Sequence, residues 1–147
     1  MRKGFTLITA IIIMITIATL MTLMITLSTS SVKSTTDIYL KEQAELLTRS
    51  ATEYTLLALS GHNHNQNCLE HLHLKYPDPR APTHEANVSI WYLGRDLPSG
   101  CSHILANDVN RSESNLTVIV DVKVWVNRAN TGITEPIVIH RRTIQKP

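Results

Sequence analysis

The stretch FTLITAIIIMITIATLMTLMITL at residues 5–27 decides the fold, because none of its 23 residues is charged and none is Gly or Pro. As an α-helix it would be roughly 34 Å long, enough to cross the hydrocarbon core of a bilayer. Arg2 and Lys3 precede the stretch, and Lys33 is the first charged residue after it. By the positive-inside rule we expect a single-pass membrane protein with its N-terminus in the cytoplasm and the rest of the chain exported.

Three kinds of N-terminal segment contain an apolar run of this sort. A secretory signal peptide fits poorly, because its apolar region is usually about 7 to 15 residues long and ends in an A-x-A-like site. Here the run is longer and is followed by STSS at residues 28–31. A plain signal anchor fits the length and the charges. So does a leader that is cleaved before the apolar run, which leaves the helix in the membrane.

The sequence RKGFTLI at residues 2–8 favours the third kind. It resembles the start of type IV pilins and type II secretion pseudopilins, where a short basic leader ends in Gly before Phe-Thr-Leu-Ile and a hydrophobic helix. The resemblance covers the leader and the N-terminal helix, with a looser architectural match over the rest of the chain. It implies that a prepilin peptidase cuts after Gly4 and methylates Phe5. It also implies assembly with other pilin or pseudopilin subunits at an inner-membrane platform.

One position departs from the family pattern. The fifth residue of the mature chain is Thr9, where most family members have Glu. In the family this carboxylate pairs with the N-terminal amine of a neighbouring subunit, and some minor members, notably tip-located pseudopilins, lack it. The resemblance therefore implies a minor or tip-located subunit of a pilus or pseudopilus rather than the major repeating one.

Four threonines of the apolar run recur on one face of the predicted helix, in steps of 7, 3 and 7 residues. Small polar residues on one face allow membrane helices to pack closely, so this face is a candidate seam against neighbouring subunits. Alternatively, each hydroxyl bonds a carbonyl of its own helix and has no further role. The four residues are Thr9, Thr16, Thr19 and Thr26.

The helical pattern continues beyond the membrane, because residues 32–60 contain neither Pro nor Gly and Gly61 is the first stop signal. Apolar or small residues recur there in steps of four and three, which defines one helix face. The sequence predicts one helix over residues 5–60, apolar all round in its first half and amphipathic in its second. The predicted face comprises Val32, Thr36, Leu40, Ala44, Leu47, Ala51, Tyr54 and Ala58.

Alternating apolar residues predict three strands, near residues 87–92, 116–127 and 137–144, with the last two forming an antiparallel hairpin. Their valine face should pack on Leu40, Leu47, Ala51 and Tyr54 of the helix, while residues 62–83 and 98–114 should be loops. The expected fold is α+β and pilin-like, a long helix on a small antiparallel sheet.

The corresponding domain plan is a leader at residues 1–4, a transmembrane and filament-core helix at 5–27 and a periplasmic half of the helix at 28–60. Residues 61–147 form a globular head. Its two cysteines, Cys68 and Cys101, lie on the exported side, where an oxidising compartment favours one disulfide. The alternative is two unrelated buried thiols.

A His-rich segment surrounds the first cysteine. His62, His64, His71 and His73 have metal-ligand character together with Cys68. A disulfide would remove the thiolate, and histidines two positions apart do not share one face of a helix. We therefore expect a polar, exposed loop and no bound cofactor. The alternative function is a membrane-anchored periplasmic binding domain that uses this loop.

Charge and motifs exclude other classes of protein. Of the 14 Lys and Arg residues, 12 remain once Arg2 and Lys3 are cleaved off, against 12 Asp and Glu residues. A neutral remainder gives no electrostatic basis for binding nucleic acid. The sequence contains no G-x-S-x-G, no H-E-x-x-H and no Gly-rich phosphate loop, so we expect a protein without catalytic activity.

Overall fold

The computed structural model describes residues 2–63, 67–109, 116–133 and 135–147, with side chains from Thr6 onward. The chain divides into two compact units, Met1–Tyr39 and Leu40–Pro147. The elements, in chain order, are α1 (Arg2–Gly61), β1 (His71–Tyr76), β2 (His84–Gly94), β3 (Ile104–Ala106), β4 (Leu116–Val126), α2 (Arg128–Thr131) and β5 (Val138–Gln145).

The first unit consists of the N-terminal part of α1. Its large apolar side chains from Leu7 to Leu27 are all exposed, by 48 to 74%. The segment is long and apolar enough to cross a membrane, by length and composition. A helix suits the hydrocarbon core of a membrane because it pairs every interior backbone N–H and C=O within the same segment.

The second unit begins where α1 meets the sheet. Its helix face contributes Leu40, Ala44, Ala51 and Leu59, all nearly or fully inaccessible to solvent. The facing side of the sheet is built from alternate residues of β2 and β4, as a period of two requires. These buried sheet residues are Ala86, Val88, Ile90, Tyr92, Val118, Val120, Val122, Val124 and Val126.

Four strands lie in the order β1-β2-β4-β5 with antiparallel neighbours, and the short β3 pairs in parallel with β2. The hairpin formed by β4 and β5 confirms the sequence prediction. Its connection contains α2, which Asn127 caps at its N-terminus and Gly132 ends at a φ of 68°. Gly tolerates that left-handed conformation at no steric cost. The long helix on a small antiparallel sheet confirms the predicted α+β arrangement.

A buried histidine ties β2 to α1. The ring of His84 is inaccessible to solvent, and its Nε2 lies 3.1 Å from the carbonyl oxygen of Leu40. A carbonyl only accepts hydrogen bonds, so Nε2 carries the proton. Nδ1 then accepts from the hydroxyl of Thr83 at 2.8 Å. Both ring nitrogens are satisfied, which is the usual condition for burying this polar side chain.

The predicted helix face was wrong at three of its eight positions, because Val32, Thr36 and Tyr54 are exposed. Tyr54 is 50% exposed, and the buried positions beside Ala51 are instead threonines. Their hydroxyls donate to carbonyls four residues back at 2.7 to 3.0 Å, which removes the cost of burying them. The predicted steps of four and three led to Tyr54, one residue before the buried Thr55. The residues concerned are Thr48, Thr52 and Thr55.

The two expected loops also contain strands. β1 lies within the first and β3 within the second. In β1 the sequence HLHLKY alternates between exposed and half-buried side chains, because Leu72 and Leu74 pack against the core. That alternation is a strand signal, which the surrounding prolines and histidines obscured. β3 has only three residues, too few for a periodic pattern.

The packing of α1 on the sheet gives a stability prediction. Val120 is inaccessible to solvent, so Val120→Ala should lower the free energy of unfolding by about 2 kcal/mol through lost burial and a cavity. Val138→Ala on β5 is the matched control, because this valine is 50% exposed. It should cost no more than about 0.5 kcal/mol. Urea unfolding of the full chain in detergent measures both, and equal losses would contradict the assigned core.

Candidate functional site

A disulfide joins the segments that lead into β1 and β3. Cys68 and Cys101 are bonded, with their Cα atoms 5.1 Å apart and a sequence separation of 33. The predicted pairing is thus present in the structure, in place of two separate thiols. The bond brings together the residues that follow each cysteine, and these include Glu70, Ser102 and His103.

Glu70 lies two residues after Cys68 and accepts hydrogen bonds from the other side of the disulfide. Its carboxylate accepts from the backbone N–H of Ser102, from the Ser102 hydroxyl at 2.6 Å and from the backbone N–H of His103 at 3.1 Å. The Ser102 hydroxyl and backbone bonds lower the pKa of Glu70 from 4.5 to about 2, against the opposing effect of desolvation. Glu70 is therefore ionised at neutral pH.

His103 lies two residues after Cys101 and has a defined orientation. Its Nδ1 lies 3.1 Å from the carbonyl oxygen of Ile90, so Nδ1 carries a proton and donates it. In the neutral ring, Nε2 then has a lone pair available for a ligand. The ring stacks on Trp91, with centroids 4.3 Å apart and planes 9° apart, and meets the ring of His71 edge-on at 4.6 Å.

The outer face of the sheet, which points away from α1, is polar and contains further histidines. The registers align its residues in rows across β1, β2, β4 and β5. Its polar and aromatic members include His71, His73, Glu85, Asn87, Ser89, Trp91, Asp121, Lys123, Trp125, His140 and Arg142. Trp91 and Trp125 are half-buried among these polar neighbours rather than placed in the core.

Two histidines of the outer face contact carboxylates. His73 lies 3.3 Å from a carboxylate oxygen of Glu85, and its ring stacks on Trp125 at 6.2 Å. His140 and Arg142 both bind Asp121. Partial burial raises the pKa of Asp121, but the bonds from Arg142 and His140 outweigh it, so the net shift is downward. These two histidines are therefore engaged with carboxylates of their own.

The candidate metal ligands of the sequence lie in different places. The ring of His62 lies 3.2 Å from the carbonyl of Asn67, and His64 lies outside the described residues. Cys68 has no thiolate, because it is in the disulfide. His71 and His73 lie on a strand rather than in a loop, and residues two apart on a strand share one face.

Among the described residues, the structure groups His71 with two residues that sequence reasoning missed. Ligand atoms of Glu70, His71 and His103 all lie within 4.8 Å of one another. A signal existed in the sequence, because Glu70 and His103 each stand two residues after a cysteine of a predicted disulfide. Glu70 and His103 are far apart along the chain, so only the disulfide indicates that they lie close together in the fold.

The N-terminal candidates lie on α1. Gly4 and Phe5 belong to it, but their side chains are outside the described part. In the four threonines, each hydroxyl donates to the carbonyl three residues back at 2.8 to 3.0 Å. The hydroxyl protons are thus bonded within the helix. Packing of this face against a neighbouring subunit would therefore depend on shape complementarity rather than on hydrogen bonds from these hydroxyls. The threonines are Thr9, Thr16, Thr19 and Thr26.

Comparison of the chain with protein-family models, curated proteins and solved structures found no match.

The disulfide should contribute measurably to stability. Replacing both Cys68 and Cys101 by Ser should lower the free energy of unfolding by about 3 to 4 kcal/mol, the chain-entropy value for a loop of this length. The melting temperature of the oxidised full chain, compared with that of the double variant, measures the effect. An unchanged melting temperature would mean that the bond does not constrain the head.

The depressed pKa of Glu70 predicts a pH-dependent stability. The folded pKa of about 2 lies below the ordinary 4.5, so the contribution is complete above about pH 5 and is lost as the pH falls towards 2. Glu70→Gln should therefore flatten the decline of stability over this range. Glu53→Gln, at an exposed position of α1, should retain the wild-type decline. Urea midpoints at pH 7, 5 and 3 distinguish the two, and parallel curves for wild type and Glu70→Gln would contradict the assignment.

Proposed function

We propose that the protein is a minor or tip-located pilin-like subunit of a type IV pilus or a type II secretion pseudopilus. Its role is structural rather than catalytic. α1 holds it in the bacterial inner membrane, with the N-terminus in the cytoplasm and the head in the periplasm. The observation that carries this proposal is one uninterrupted helix with a basic leader, an apolar first part and a second part packed on a sheet.

The exposed apolar part of α1 supports a mode of assembly in which this part leaves its contacts with lipid for contacts with the helices of neighbouring subunits. Its large side chains are accessible on every side, so lipid chains and neighbouring helices are equivalent partners for them. Moving from one to the other needs no desolvation of a charged side chain, because residues 5–27 contain none. Packing and close helix approach then provide the driving force. The partners are membrane lipid, other pilin or pseudopilin subunits and an inner-membrane assembly platform, and nucleic acid is not among them.

Thr9 is the residue that favours a minor or tip position. A carboxylate at the centre of a membrane helix costs roughly 2.5 to 3.5 kcal/mol, and a neighbour's amine offsets that cost in a repeating filament. Thr9 avoids the cost and provides no charge for such a pair. Its hydroxyl donates to the carbonyl of Thr6 at 3.0 Å, within its own helix. A subunit with no neighbour above it in the filament is affected least by the absence of this ion pair.

Processing by a prepilin peptidase provides the test. Co-expressed with the peptidase, the wild-type chain should begin at a methylated Phe5. Gly4→Leu should keep its leader, because the peptidase must approach the backbone closely at this position. Gly61→Ala is the control, since a methyl group there has nothing within 4 Å and the substitution should leave cleavage unchanged. Mass spectrometry of the N-terminal peptide measures all three.

The second candidate function is the membrane-anchored periplasmic binding domain. The grouping of Glu70, His71 and His103 favours it, because it provides a polar site on the head that assembly does not require. An intact leader in the presence of active peptidase would support this candidate and overturn the pilin-like proposal.

A further inference from the structure

The cluster beside the disulfide has the composition of a metal site. Glu70 provides a carboxylate and His71 and His103 provide imidazoles, with ligand atoms within 4.8 Å of one another. Two imidazoles and one carboxylate are a donor set that suits zinc and neighbouring divalent transition metals. We propose that Glu70, His71 and His103 bind a divalent transition-metal ion, with Zn²⁺ as the preferred probe.

The orientation of His103 supports this proposal. The bond from Nδ1 to the Ile90 carbonyl is the arrangement that metal-binding histidines commonly use to fix their tautomer. It directs the lone pair to Nε2. Stacking on Trp91 restricts rotation of the ring, so little side-chain freedom remains to be lost when a metal binds.

Glu70 is likewise held in place and still has capacity for a ligand. A carboxylate has about four lone-pair positions, and the bonds from Ser102 and His103 use three. The same bonds keep it ionised, and a metal needs a deprotonated carboxylate. Glu70 and His103 are half-buried and His71 is exposed, so an ion can reach the cluster from solvent.

The disulfide fixes the distance between the two halves of the cluster. Glu70 and His71 follow Cys68, and His103 follows Cys101, so one covalent bond sets the spacing of ligands that are over thirty residues apart. Three protein ligands also leave one position of a tetrahedral ion open, which water or a group from a partner can fill.

Other histidines of the outer face provide matched controls. His73 lies on the same strand and face as His71 but is paired with Glu85, and His140 is paired with Asp121. If the exposed histidines bound metal indiscriminately, these two would contribute equally. If the cluster of Glu70, His71 and His103 is the metal site, only His71 of these three histidines should contribute to metal affinity.

Titration calorimetry of the full oxidised chain in detergent tests the proposal, with Zn²⁺ as the ligand. We expect one ion per chain, with affinity at least about tenfold lower for His71→Asn and Glu70→Gln and within about twofold of wild type for His73→Asn and His140→Asn. His71 is exposed, so its replacement threatens folding least. Metal-free melting curves establish that each variant is folded.

A second measurement uses the tryptophan beside His103. In a Trp125→Phe background the remaining fluorescence comes from Trp91, whose ring stacks on that of His103. Co²⁺, a paramagnetic substitute for Zn²⁺, should quench it, and His71→Asn should shift the quenching midpoint at least about tenfold. Absence of one-to-one Zn²⁺ binding, or a loss for His73→Asn as large as that for His71→Asn, would overturn the proposal.

Discussion

The contact between the second half of α1 and the inner face of the sheet holds the head together. Ala44 and Ala51 are inaccessible to solvent and belong to the same buried cluster as the valines of β4. Thr48 is tolerated in this contact because its hydroxyl bonds the Ala44 carbonyl at 2.8 Å. His84 adds one directed bond, to the carbonyl of Leu40. Small side chains and internally satisfied polar groups thus fill the buried interface.

This contact determines where polar chemistry can lie. Because one face of the sheet is covered by α1, the alternate residues of every strand point away from it, and these include the exposed histidines. The disulfide then adds the loop residue His103 to the β1 residue His71. The molecule therefore separates its two proposed roles, with an apolar helix for membrane and filament contacts and a polar sheet face for ligands.

The sequence predicted the elements that have a strong period. Residues 5–60 contain no helix breaker, and the valines of β4 alternate without interruption, so α1, β4 and the hairpin with β5 followed from the pattern. β3 could not be predicted, because three residues show no period. β1 was missed although Leu72 and Leu74 alternate with histidines. The buried Thr48, Thr52 and Thr55 depend on hydroxyl bonds that composition does not reveal.

The candidate site was only partly accessible to sequence reasoning. The disulfide and the metal-ligand character of His71 were predicted from residue types. The participation of Glu70 and His103 depends on the chain approaching itself across more than thirty residues, which no local pattern encodes. The histidine pair in β1 was judged by helical spacing, whereas the strand places both side chains on one face. Whether these two side chains share a face therefore depends on whether their segment is a helix or a strand.

The central claim is that one continuous helix serves two environments. Hydrogen–deuterium exchange of the full chain in lipid nanodiscs tests it most directly. Amides of residues 6–27 should exchange slowly in lipid, and those of residues 40–61 slowly against the sheet, while residues 28–39, exposed to water, should exchange faster. Exchange over residues 6–27 as fast as over residues 28–39 would contradict the account.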